Sequence, residues 1–195
     1  MPTFRRSAAL VLGVTLATLA ACSDAPSAPR APLAPGDAPQ HVVLTSPTPV
    51  RALLRNTPLA GGVRASAVIG SAGGTLTLWG TGLTLRVPAG AVSVPTTFTV
   101  SAPAGRGVWY DFGPSGAKFA VPLVITQDLR GTNAGSVAPS ALQGGYFVDG
   151  SRSEATGTAK VTEVLPVTFN STYTALSFNV THFSGYMVST GRSDF

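Results

Sequence analysis

The closing stretch "NVTHFSGYMVS", residues 179–189, sets His182, Phe183 and Ser184 side by side inside a strand-like run. Histidine is scarce here, with two in 195 residues. An imidazole can serve as a general base near neutral pH, and a serine hydroxyl becomes a nucleophile once a base takes its proton. The same three residues also suit the last core strand of a sheet. In that reading Phe183 is buried, and Thr181 or His182 satisfies backbone groups near a turn.

Either reading needs elements that hold the triplet in place. Only 11% of residues are charged, against roughly 25% in a typical soluble domain. Gly (22) and Pro (16) are frequent, and Val, Thr, Phe and Tyr fill the runs between them, which favours strands over helices. In "TLTLW" (75–79) Leu76 and Leu78 face one side, while Thr75, Thr77 and Trp79 face the other. "LTLRV" (83–87) and "TFTVSA" (97–102) repeat the period of two. "VPAGAV" (87–92) reads as a tight connection, with Pro88 ending a strand and Gly90 supplying a permissive backbone. Further runs follow at 108–113, 119–126, 144–149, 160–165, 173–180 and 185–189. Pro122 interrupts "FAVPLVIT" and predicts an edge strand or a bulge, because proline donates no ladder hydrogen bond. The fold class expected is all-β, an antiparallel β-sandwich of roughly 8–10 short strands. No amphipathic helix of useful length is visible.

The N-terminus reads differently. Arg5 and Arg6 precede an apolar stretch from Ala8 to about Ala17, and small residues follow before Cys22, the only cysteine. A basic start, an apolar centre and small residues before a cut describe a secretory signal over 1–21, its apolar stretch too short and too sharply ended for a membrane span. Removing Arg5 and Arg6 takes the net charge from +5 to +3. The remaining basic residues are scattered, with no footprint for nucleic acid or an anionic surface. Residues 22–62 form an Ala/Pro-rich segment that cannot bury enough apolar surface to fold alone, and it is expected to be a disordered, semi-rigid spacer. His41 lies in it and is expected to be solvated. "VRALLRN" (50–56) suits a short helical turn or a docking segment. The folded domain is expected over 63–195.

Two resemblances add to this. "LAAC" (19–22) resembles a bacterial lipobox. That implies a diacylglycerol thioether on Cys22, cleavage before it and N-acylation afterwards, so that the membrane is a partner through the lipid anchor. Several acyl chains at about 0.8 kcal/mol per buried methylene give stable anchoring. Ser23, where an aspartate would imply inner-membrane retention, implies the outer membrane, on its periplasmic face or at the cell surface. The second resemblance covers about Ser66 to Val188. "GGTL" (73–76), "LRVPAGAV" (85–92), "FGPSG" (112–116) with Phe119, and "PLVI" (122–125) occur in the order seen in ZU-five domains. Those are β-sandwiches of ankyrins, netrin receptors and tight-junction scaffolds. The resemblance implies a unit for protein–protein or structural contact, not a small-molecule enzyme.

ZU-five domains occur beside or within self-processing modules, and His182-Phe183-Ser184 resembles the triplet at which FIIND modules cut themselves. The adhesion-receptor GAIN domain uses a similar triplet. The resemblance implies attack of Ser184 Oγ on the Phe183 carbonyl, with His182 as general base. Water then hydrolyses the ester. A strained peptide would lower the barrier, and Gly185 would supply backbone freedom.

Other residues carry less. Asp111, Asp128, Asp149 and Glu163 are dispersed, with no calcium-loop spacing, so no metal is expected. "GSAGG" (70–74) lacks the lysine and helix of a phosphate loop. Trp79, Trp109 and Tyr110 could form a carbohydrate-stacking face, or pack in a core. The expected function is a lipid-anchored envelope protein presenting a non-catalytic β-sandwich to a protein or envelope partner, with no cofactor, nucleic acid or small-molecule substrate. The alternatives are self-cleavage at Phe183–Ser184 and a carbohydrate-binding module.

Overall fold

The computed structural model describes residues 41–192; Cys22, the expected signal peptide and the spacer up to residue 40 lie outside them, as do residues 193–195. The described chain is all-β. Its strands are β1 (Val42–Ala52), β2 (Leu54–Leu59), β3 (Val63–Ile69), β4 (Gly74–Leu78), β5 (Leu83–Val87), β6 (Thr96–Ala102) and β7 (Gly105–Gly107). They continue with β8 (Trp109–Gly113), β9 (Lys118–Asp128), β10 (Gln143–Ser153), β11 (Thr158–Leu165), β12 (Thr168–Phe169), β13 (Ala175–His182) and β14 (Gly185–Arg192). Two short 3-10 turns, Asn133–Ser136 and Pro139–Ala141, lie between β9 and β10.

Alternation sets which side chains go inside. Leu76 and Leu78 of β4, Leu83 and Leu85 of β5, and Phe98 and Val100 of β6 are buried, while Thr77, Thr84 and Thr99 between them stay partly exposed. Each such side chain taken from water stabilises the fold by about 1.5–3 kcal/mol. Gly90 takes a φ of 78° in the turn after β5, as "VPAGAV" predicts.

Every strand pairing is antiparallel. One sheet runs β1-β11-β10-β14-β8-β6-β3, the other β12-β13-β9-β5-β4, and β2 pairs with β7 as a separate ribbon. β1 also pairs with β14, so β1, β11, β10 and β14 close into a ring. Pro122 sits where a bulge is expected. Between Val180 and His182, β13 has one residue, and β9 has Phe119 to Pro122 opposite it before the pairing resumes at Lys118. β5 pairs only with Val124 to Gln127 of β9, so Pro122 also has no neighbour on that side.

The expected domain boundary at 63 is corrected. β1 and β2 belong to the folded unit although they fall in the expected spacer, and residues 50–56 are extended rather than helical. Val50 and Ala52 are buried, and Leu53 is fully so, because β11 and β14 supply the backbone partners that this segment cannot supply itself. The strands exceed the expected number, in part because of this segment and in part because of the short β7 and β12.

Two cores result. The larger lies between the sheets and includes Phe98, Phe112, Phe119, Leu123 and Phe183. The smaller is built on Val50, Ala52, Trp109, Phe147, Val161 and Met187. β8 serves both, with Trp109 in the smaller and Tyr110 and Phe112 in the larger.

A buried polar network spans the sheets. Tyr110 donates to Gln127 Oε1 at 2.6 Å, and Gln127 Nε2 donates to the Thr81 carbonyl at 3.0 Å. Arg55, 5% exposed, donates from Nη2 to Tyr110 Oη at 2.9 Å and from Nη1 to the Gly107 carbonyl. Burial raises the Tyr110 pKa, and the nearby Arg55 charge offsets part of the rise. Removing the Tyr110 hydroxyl leaves Gln127 Oε1 and Arg55 Nη2 buried without that partner, at about 1–3 kcal/mol. Tyr110→Phe should therefore lower the unfolding free energy by about 1–3 kcal/mol in a urea titration; an unchanged midpoint would show that the network adds nothing.

Candidate functional site at the closing corner

β13 belongs to the five-stranded sheet and β14 to the seven-stranded one. Phe183 and Ser184 alone connect them, so the triplet is a corner between sheets. Phe183 is 1% exposed. Its ring centroid lies 4.8 Å from that of Phe119, 5.2 Å from Phe112 and 5.7 Å from Phe98. Aromatic pairs of this kind add about 0.5–1.5 kcal/mol beyond their area.

The backbone of the corner is held on both sides. Phe183 N–H donates to the Ala117 carbonyl at 2.9 Å, and the Phe183 carbonyl accepts from Gly116 N–H at 2.9 Å. The Ser184 carbonyl accepts from Phe112 N–H, also at 2.9 Å. Neither Phe183 nor Ser184 takes a positive φ. Gly185 does not either, and its role differs from the expected one. A Cβ there would sit 2.4 Å from the Phe147 ring, so glycine is required by close packing rather than by backbone freedom.

The His182 ring turns to other partners. Its Nε2 lies 3.0 Å from Glu163 Oε1 and 3.2 Å from Oε2, and its Nδ1 lies 3.2 Å from Tyr186 Oη. Tyr186 Oη donates to the His182 carbonyl at 2.7 Å. The Tyr146 ring meets the imidazole edge-on at 4.6 Å. An ionised carboxylate only accepts, so the Glu163 bond places a proton on Nε2. Nδ1 is then the nitrogen left to act as a base, and Tyr186 faces it. Among the described residues no hydrogen bond joins His182 to Ser184. The structure thus brings His182 to Glu163 and Tyr186 and does not pair it with the serine.

Glu163 also binds the other histidine. His41 Nε2 is 2.7 Å from Glu163 Oε2, so His41 is not merely solvated, although its side chain is 45% exposed. Both imidazoles of the chain therefore donate to one carboxylate, which ties the start of the described chain to β11 and the corner. Sequence reasoning missed this trio, because 122 residues separate His41 from Glu163. Among the described residues no group of His, Cys, Asp and Glu has the arrangement to hold a metal ion. The cleft beside the trio has a volume of about 220 Å³, below the roughly 300–1,000 Å³ of small-molecule sites.

Burial pushes the Tyr186 phenol well above its usual range, and the Glu163 charge adds to the rise. The other acidic residues remain apart. Asp111 pairs with Arg152 at 2.6 Å, and Asp128 pairs with Arg130 at 2.6 Å. Asp149 lies in β10, with its side chain outside the described set. Of the two readings of Trp79, Trp109 and Tyr110, packing in a core holds for Trp109 and Tyr110. Trp109 and Tyr110 are 0% and 2% exposed, because both faces of β8 are covered by core, whereas Trp79 is 83% exposed. No family model and no curated protein matches this chain.

Phe183→Ala should cost about 3–5 kcal/mol of unfolding free energy, measured by denaturant titration, and a loss under about 1 kcal/mol would contradict its place in the core. Tyr186 predicts an alkaline effect. Its folded pKa is raised, so its contribution is complete below the unfolded value of about 10 and is lost as pH rises above that. Tyr186→Phe should flatten the alkaline fall in stability, and an identical pH profile would contradict the assignment.

Proposed function

We propose that this chain is a lipid-anchored envelope protein, attached through Cys22 to the outer membrane on its periplasmic face or at the cell surface. It presents a ZU-five-like β-domain for protein or envelope contacts and does no chemistry on an external substrate. One observation carries the non-catalytic part. The base that the triplet would need is engaged elsewhere, with His182 on Glu163 and Tyr186 rather than on Ser184, and Phe183 between them is sealed in the core. A base must reach the proton it removes. The lipobox and signal pattern support the anchor, and the all-β fold agrees with the ZU-five resemblance.

Self-cleavage remains the rival on one point. Gly116 N–H already donates to the Phe183 carbonyl, where negative charge would develop if Ser184 attacked. Intact mass of the purified chain separates the two. The contact reading predicts one full-length mature species, unchanged on long incubation. A break at Phe183–Ser184 that Ser184→Ala abolishes would overturn it. Metabolic labelling with a fatty acid should mark the wild type and not Cys22→Ala; label on both would remove the anchor.

A further inference from the structure

The outward face of the five-stranded sheet carries a row of hydroxyls that crosses every strand. Thr77 of β4 pairs in register with Thr84 of β5, and Thr84 with Thr126 of β9. Thr126 pairs with Ser177 of β13, and Ser177 with Thr168 of β12. The buried neighbours on either side, such as Leu76 and Leu78, Leu83 and Leu85, and Leu176 and Phe178, face the core, so the row faces away from it. Thr126 Oγ1 and Ser177 Oγ are 2.8 Å apart, and Thr77 Oγ1 and Thr84 Oγ1 are 3.5 Å apart. A hydroxyl has one donor and two acceptor sites, so each keeps capacity toward solvent.

Trp79 stands at the end of this row. It follows Leu78 on the β4–β5 turn, two positions after Thr77, and is 83% exposed. Among the described residues no hydrogen bond involves its indole N–H. Trp79 lines a groove of about 390 Å³ with Thr77, Thr84 and Thr126, within the roughly 300–1,000 Å³ of small-ligand sites. The charges beside it, Asp128 and Arg130, neutralise each other through a bidentate contact of 2.6 and 3.0 Å.

We infer that this face binds a neutral polysaccharide or oligosaccharide chain. The indole offers a flat apolar surface for the C–H face of a pyranose ring. The hydroxyl row offers interchangeable donors and acceptors, the partners that sugar hydroxyls need. Strands are spaced about 4.8 Å apart, close to the length of one hexopyranose unit, so successive hydroxyls meet successive sugars. The near-neutral groove gives a strongly anionic partner no ionic gain. This occupant rests on the contact role proposed above and is independent of the lipid anchor.

The test is a titration of the full mature chain in detergent with neutral tetrasaccharides of cellulose, chitin, xylan and mannan. Binding is read by calorimetry and by tryptophan fluorescence. Trp109 is fully buried, so a fluorescence change on binding reports mainly Trp79. At least one series should bind, with affinity reduced tenfold or more by Trp79→Ala and several-fold by Thr126→Val, while Val94→Ala leaves it unchanged. Thermal melts of each variant verify that it is folded. No binding in any series, or binding that Trp79→Ala leaves intact, overturns the glycan assignment. Intact mass decides separately between contact and self-cleavage.

Discussion

The chain changes sheets between His182 and Gly185 in two residues, and much of the domain depends on that crossing. So short a connection fixes three directions at once. Phe183 goes inward, among Phe98, Phe112 and Phe119. His182 turns to the side, onto Glu163 of β11. Gly185 lies flat against Phe147, where a side chain would collide. The corner thus touches the core between the sheets, the smaller core and the strand that receives the start of the described chain. His182 and Phe183, two of the three residues that suggest acyl chemistry, have structural contacts here.

The crossing divides the domain's surfaces. One side of the five-stranded sheet is drawn against the aromatic core. The other is left partly exposed, and its row of hydroxyls and single exposed tryptophan give it a chemistry suited to recognition. The buried network of Arg55, Tyr110, Gln127 and Thr81 joins the sheets from within. It reaches the β4–β5 turn through Thr81, which donates to the Leu78 carbonyl at 2.7 Å. The turn that presents Trp79 is therefore anchored in the core, so its position is set before any contact is made.

Local patterns revealed the parts of the fold that local chemistry governs. The alternation of Leu76, Leu78, Leu83, Leu85, Phe98 and Val100 gave strands and faces, Gly90 gave a turn, and Pro122 gave a bulge. What stayed hidden depends on distant partners. β1 contains Pro47 and Pro49 and has the composition of a linker; it becomes a strand because β11 pairs with it from Thr158 to Val164. Trp109 and Tyr110 are chain neighbours and so point to opposite faces of β8, and both are buried because the ring formed by β1, β11, β10 and β14 brings a second core against its outer side. At the corner, the sequence placed Phe183 inside, but it gave no sign that His182 would face Glu163 rather than Ser184. The hydroxyl row was equally hidden, because its members align only once the registers of β4, β5, β9, β13 and β12 are set.

The central claim is that the His182-Phe183-Ser184 corner is a fixed structural tie. Native-state hydrogen exchange at two amides tests it most directly. Phe183 N–H is bonded to the Ala117 carbonyl, and Gly116 N–H to the Phe183 carbonyl. The account predicts that both exchange only through global unfolding, with the same free energy and denaturant dependence as the slowest core amides of β9 and β13. Exchange through a local opening several kcal/mol below the global value would contradict it, and would mean that the corner opens while the sheets stay folded.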